Sequence, residues 1–210
     1  MPAVLSGFFY GGMEMNIWLV ELDVSKYIWC AMNEKNMNSS NFRELFLNGN
    51  IPSDEHVKDV TFYNKDKDDV EQKGLKPADI MRGGSVLLAS QKAKQLIEKE
   101  YDGLFRFIMT SIDDFPNEEY YIIEPVIYLE LSEHLDMEKT YIKYVANDIN
   151  KGIFEIRNYC FMEEIHNHHF FRFMYNNGTR YISQTRYCDD EFKEFVKKNN
   201  ITGLKFKKAY

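Results

Sequence analysis

An α+β fold, with a mixed, mostly antiparallel sheet and a few packed amphipathic helices, is what this 210-residue sequence predicts. Three observations carry that expectation. Aromatic residues are dense, with 16 Phe and 14 Tyr, and such rings suit pleated, half-buried surfaces. Many short segments alternate apolar and polar residues at the period of a strand, between polar turns. Two other segments place apolar residues at helical spacing, each after a strand, which fits helices packed on a sheet.

The elements follow in chain order. "NIWLVELDV" reads as a first strand and "KYIWCAM" as a second; "NEKNMNSSN" is a polar loop, and "FRELFLNGN" a short helix or turn closed by Gly49. "VKDVTFYN" is strand-like. "KDKDDVEQKGLKP" is a charged linker and the best internal boundary, giving either a strand-rich segment over 1–74 and an α+β domain over 75–210, or one continuous domain. "GSVLLAS" is a buried strand. Ser90 at its end suits an N-cap for "QKAKQLIEKEY", whose Ala93, Leu96, Ile97 and Tyr101 share a face. "GLFRFIMTSI" is a strand, "DDFPNEE" an acidic turn, and "YYIIEPVIYLEL" a strand that Pro125 puts at an edge or bulge. "EKTYIKYV", "GIFEIRN" and "TRYIS" are further strands. A last helix lies in "DDEFKEFVKKNN", with Phe192, Phe195 and Val196 inward and Asp189 to Glu191 at its positive end. "ITGLKFKKAY" closes as a strand. The Ser-Gln pairs at Ser90 and Ser183 each sit between a strand and a helix, so Ser183 is expected to repeat the capping role of Ser90.

The net charge of −7 disfavours general nucleic-acid binding and favours a basic protein partner. Three widely spaced cysteines, Cys30, Cys160 and Cys188, form no disulfide framework and fit a reducing, cytoplasmic compartment. The first residues have no basic n-region, and Glu14, Glu21 and Asp23 interrupt their apolar run, so the stretch reads as neither signal peptide nor membrane span. The residues before Met13 or Met15 read as a leader or a misplaced start.

Chemistry-bearing motifs are few. Asn64, Asp66 and Asp68 alternate as in a calcium loop, but the glycine and the closing acid are replaced by Asp69 and Leu75. "EEIHNHHFF" concentrates three of the five histidines. On a strand Glu164, His166 and His168 would share a face, a conceivable zinc set for a metal-dependent hydrolase or nuclease. The spacing supplies no fourth ligand, so the expectation is a polar hairpin end without metal. No G-x-S-x-G, Walker or G-x-G-x-x-G pattern occurs. No cofactor and no catalytic residue are therefore expected. The acidic turn is the candidate binding surface: Asp113, Asp114, Glu118 and Glu119 surround Phe115, charge around an apolar tip.

Four segments carry a family resemblance. They are Phe-Arg-Phe at 171–173, Ile182-Ser183, Thr-Gly-Leu-x-Phe at 202–206, and a looser match from Asp79 through Ser90 and Lys92 to Ile97. With these the chain over about Lys76 to Tyr210 resembles the bacterial immunity proteins of polymorphic toxin systems, of the types called immunity protein 11 and immunity protein 43. The resemblance implies a non-enzymatic cytosolic antidote that binds the C-terminal domain of a cognate secreted toxin, a domain expected to be basic. It implies neither a nucleic-acid nor a membrane partner, and its shared motifs look structural.

Overall fold

The structure, a computed structural model, describes residues 16–33, 60–65, 74–148, 153–176 and 180–209. The expected loop and helix between 34 and 59, and Asp66 and Asp68 of the calcium-like run, lie outside the described residues. The elements are β1 (Trp18–Leu22), β2 (Trp29–Met32), β3 (Thr61–Asn64), β4 (Ile80–Gly83), β5 (Val86–Ser90), α1 (Gln91–Glu100), β6 (Phe105–Ile112), β7 (Tyr120–Pro125), β8 (Tyr128–Glu130), α2 (Leu131–His134), β9 (Tyr141–Tyr144), β10 (Ile153–Arg157), β11 (Phe170–Asn176), β12 (Arg180–Cys188), α3 (Asp190–Lys198) and β13 (Leu204–Lys208).

Alternation along the strands builds two cores at once. In β5, Val86 and Leu88 face one cluster while Leu87 and Ala89 face another. In β7, Tyr120 and Ile122 join the first and Ile123 the second. The first cluster is the interior of a closed barrel with strand order β2-β3-β6-β7-β5-β4. Closure removes the exposed edges that a six-stranded open sheet would carry. The second cluster lies outside the barrel. There α1 and α3 pack through Ala93, Ile97, Phe192 and Val196, and one face of a five-stranded sheet contributes Trp18, Val20, Phe170 and Cys188. That sheet has the order β13-β1-β12-β11-β8. Its other face buries Ile17, Phe171, Phe173 and Tyr187 in a third cluster beneath α2 and the β9–β10 hairpin. The parallel pairs are β2–β4, β3–β6 and β8–β11, and the other pairings are antiparallel. The class is α+β.

Ser90 caps α1 as its sequence position predicts, accepting from the Ala93 N–H at 3.2 Å. Ser183 does not cap α3. It lies inside β12, which runs on to Cys188, and the cap is Asp189, accepting from the Phe192 N–H at 2.8 Å. The strand continues because Arg186, Tyr187 and Cys188 are all buried. Ser183 falls where the β11–β12 register shifts, Arg172 facing Arg186 but Met174 facing Ile182. Its hydroxyl accepts from the Thr185 N–H at 3.1 Å within that bulge. The two Ser-Gln pairs are therefore not one solution used twice. Sequence reading also passed over β4, whose hairpin to β5 turns at Gly84 with φ 63°. Pro125 ends β7, where the chain leaves the barrel for β8 of the sheet.

Candidate functional site

The acidic turn joins β6 to β7 at one end of the barrel. The Asp113 N–H donates to the Phe62 carbonyl at 2.8 Å, and its carboxylate accepts from Asn33 Nδ2 at 3.2 Å. Asp114 accepts from the Asn64 N–H at 2.7 Å. Glu118 accepts from the Tyr120 hydroxyl at 2.5 Å and Glu119 from the Tyr121 hydroxyl at 3.1 Å. Burial, then the bond to Glu118, pushes the Tyr120 phenol up; burial, then Glu119, does the same to Tyr121. The turn thus gathers all four carboxylates and fixes them from neighbouring strands, with Asp113, Glu118 and Glu119 exposed. Phe115 is half-buried against the barrel core, its ring 6.4 Å from that of Tyr120. It anchors the turn instead of crowning it.

The histidine-rich stretch is not a strand. Glu163–Asn167 is a 3-10 turn pinned by the buried Ile165. A 3-10 turn repeats every third residue, so Glu164, His166 and His168 do not share a face, and among the described residues they do not form a ligand cluster. Glu164 is exposed, while the His168 ring lies 5.9 Å from His134. Burial, then the neighbouring His134 and His169, lowers His168.

Among the described residues, the group with ligand-like spacing is instead His169, Asp189 and Glu191, whose ligand atoms lie within 4.8 Å of one another. His169 Nδ1 is 2.7 Å from Asp189 Oδ2 and 3.6 Å from Glu191 Oε2. Asp189 is 1 % exposed, and its second oxygen holds the α3 N-terminus. Burial raises its carboxyl, against the Phe192 N–H and His169. This is an interlocked cap that ties the start of β11 to the start of α3. The β11–β12 register, with Phe170 opposite Cys188, sets residue 169 against residue 189. Cys188 is buried, and burial pushes its thiol up.

Two polar knots escaped sequence reading. In the first, Asp79 Oδ2 accepts from the Thr202 N–H and hydroxyl, each at 2.9 Å, and from Lys92 Nζ at 3.0 Å. Asp79 Oδ1 accepts from the Ser90 hydroxyl at 3.3 Å. Beside it Gly203 sits at φ 100°, where an added Cβ would lie 1.8 Å from the Ile80 carbonyl oxygen, so only glycine fits. In the second, Glu124 and Arg172 are 2.8 Å apart and both 1 % exposed, and Arg186 approaches Glu124 at 3.4 Å. Arg172 Nε donates to the Ser183 carbonyl at 2.7 Å. Burial lowers Arg186 to about 10, against the attraction of Glu124. The short motifs that carried the resemblance thus meet in space: Asp79, Ser90, Lys92, Thr202 and Gly203 at one knot, Arg172 and Ser183 at the other. Their signal was the buried polar residue in an apolar run, as in "IIEP" and "FFRF".

With this geometry in place, comparison with known proteins is informative. The sequence model described as Immunity protein family (Imm11) matches residues 30–210. A search of curated proteins finds no match.

Proposed function

The chain belongs to the Imm11 immunity protein family, and from that premise we propose that it neutralises a cognate secreted toxin by binding its C-terminal domain, without catalysing a reaction. The observation that carries this reading is the extent of the match, which takes in β3 through β13 and β2 from Cys30 onward. We read the chain as one continuous domain acting in the bacterial cytoplasm. The pairing of β1 with β12 and β13, and of β2 with β4, supports the single domain, because strands from either side of residue 74 share sheets. Among the described residues no helix is long and apolar enough to cross a membrane.

The surface we assign to the toxin is the β6–β7 turn. Its carboxylates are held in place, so ordering them costs little on binding. Asp113, Asp114, Glu118 and Glu119 steer a basic partner, and Phe115 holds the turn in shape. The test is binding kinetics with the C-terminal domain of the toxin encoded beside this gene, comparing the native protein with a variant neutralised at all four acids. The expected result is a stable complex whose on-rate at low salt drops about tenfold in the variant and loses salt dependence. An unchanged on-rate removes the turn from the interface. Failure of the correctly folded native protein to bind that domain counts against toxin neutralisation itself.

A further inference from the structure

We propose that His169, Asp189 and Glu191 form a binding site for Zn2+, which clips the start of β11 to the start of α3. Each residue offers one ligand atom, and those atoms lie within 4.8 Å of one another. His169 stands one residue before β11, Asp189 caps α3, and Glu191 lies in the first turn of that helix. Two observations set the group apart from an ordinary helix cap. Asp189 divides its oxygens: Oδ1 accepts from the Phe192 N–H at 2.8 Å, while Oδ2 faces His169 Nδ1 at 2.7 Å. Oδ2 can therefore take an ion without loss of the cap. Among the described residues, moreover, neither Asp189 nor Glu191 forms an ion pair with a Lys or Arg; their one charged neighbour of opposite sign is the imidazole of His169. Asp189 is 1 % exposed, and a carboxylate so buried calls for a countercharge, which a divalent ion supplies.

The surroundings hold the ligands in place. The Asp189 N–H donates to the His169 carbonyl at 3.2 Å, and the His169 ring lies 5.5 Å from that of the buried Tyr101. Glu191 is exposed, so it closes on the ion from the solvent side, where water completes a four-coordinate shell. Ligand atoms about 2.0–2.2 Å from a tetrahedral zinc stand roughly 3.3 Å apart. The 3.6 Å between His169 Nδ1 and Glu191 Oε2 is near that spacing. The 2.7 Å between His169 and Asp189 is that of a hydrogen bond, and it widens as the ion takes the proton's place. The neutral imidazole then carries its proton on Nε2 and gives the Nδ1 lone pair to the ion. One nitrogen with two carboxylate oxygens suits zinc better than calcium or magnesium, which take oxygen shells.

This inference goes beyond the immunity reading and is tested without the toxin. Calorimetric titration with Zn2+ is run on the tag-free full chain and on the H169Q, E191Q and H166Q/H168Q proteins. Circular dichroism checks each fold. Asp189 is left intact, because its loss would also remove the helix cap. The expected result is one Zn2+ per chain with a Kd below about 100 μM. Binding weakens at least about tenfold in H169Q and in E191Q and is unchanged in H166Q/H168Q. Zn2+ also raises the midpoint of thermal unfolding of the native protein, since the site exists only where β11 and α3 meet, and leaves that of H169Q where it was. Three outcomes overturn the proposal: no binding tighter than about 100 μM, a loss smaller than about tenfold in H169Q or E191Q, or binding abolished in H166Q/H168Q.

Discussion

Asp79 shows how much one side chain can hold. It precedes β4, yet its carboxylate takes four hydrogen bonds, from Thr202, Lys92 and Ser90. Burial pushes this carboxyl up, but the Thr202 N–H, the Lys92 ammonium and the Thr202 hydroxyl outweigh it and hold it below the ordinary value. The charged form is therefore favoured in the folded protein. Its contribution is full above the unfolded carboxyl value near 4 and is lost as pH falls through the lower folded value. Asp79→Asn is expected to cost about 2 kcal/mol at pH 7. In urea titrations at a series of pH values the gap between native protein and variant should close only below about pH 4. A gap independent of pH would mean that the carboxylate charge is not what the knot uses.

At the scale of elements, the two long helices start from different chemistry. α1 begins at Ser90, which the strand-then-helix pattern identified. α3 begins at Asp189, six residues beyond the serine that looked equivalent. Ser90→Ala and Asp189→Ala are each expected to cost about 1 kcal/mol, and Ser90→Asp should be nearly neutral. Asp189→Ala should cost more than Ser90→Ala, because it also frees His169 from its 2.7 Å contact. Ser183→Ala should cost less than either, since its hydroxyl accepts one bond within an exposed bulge. Thermal unfolding of the four variants checks the order; a Ser183→Ala loss equal to that of Asp189→Ala would contradict the assignment of the cap.

For the whole molecule, the question is what joins barrel to sheet. Apolar contact does most of it, through the cluster shared by β5, β7, both long helices and the β1–β13 face. Glu124, Arg172 and Arg186 add a buried ionic junction, but among the described residues Arg172 Nη2 and Arg186 Nε stay buried without a partner. Such a junction is costly to break and replaceable as a unit. Arg172→Met alone should cost about 3–5 kcal/mol, while joint replacement of all three by Leu or Met should be close to neutral. The two tryptophans give the readout, Trp29 in the barrel and Trp18 in the sheet. In Trp18→Phe and Trp29→Phe proteins, urea transitions followed by the remaining indole should coincide. Separate transitions would mean that barrel and sheet fold as two units.

What the sequence determined by itself is whatever a short window encodes. Period-2 alternation marked β1, a short apolar run marked β5, strand-like composition marked β6, helical spacing and caps marked α1 and the body of α3, and Phe, Pro and the four acids marked the β6–β7 turn. Each depends on neighbours within a few residues, whose side-chain directions the backbone period fixes. The tertiary structure decided what depends on partners far apart. The barrel closes through parallel β2–β4 and β3–β6 pairs. Phe115 turns inward because the barrel end is there to receive it. Glu124 is tolerable in an apolar strand only because Arg172 arrives from 48 residues away. The histidine run reads as one polar hairpin end, but its role in the fold divides at His169, which pairs with Asp189 through the β11–β12 register. Burial of a charge needs its partner, and no local pattern names a partner that only sheet pairing brings within reach.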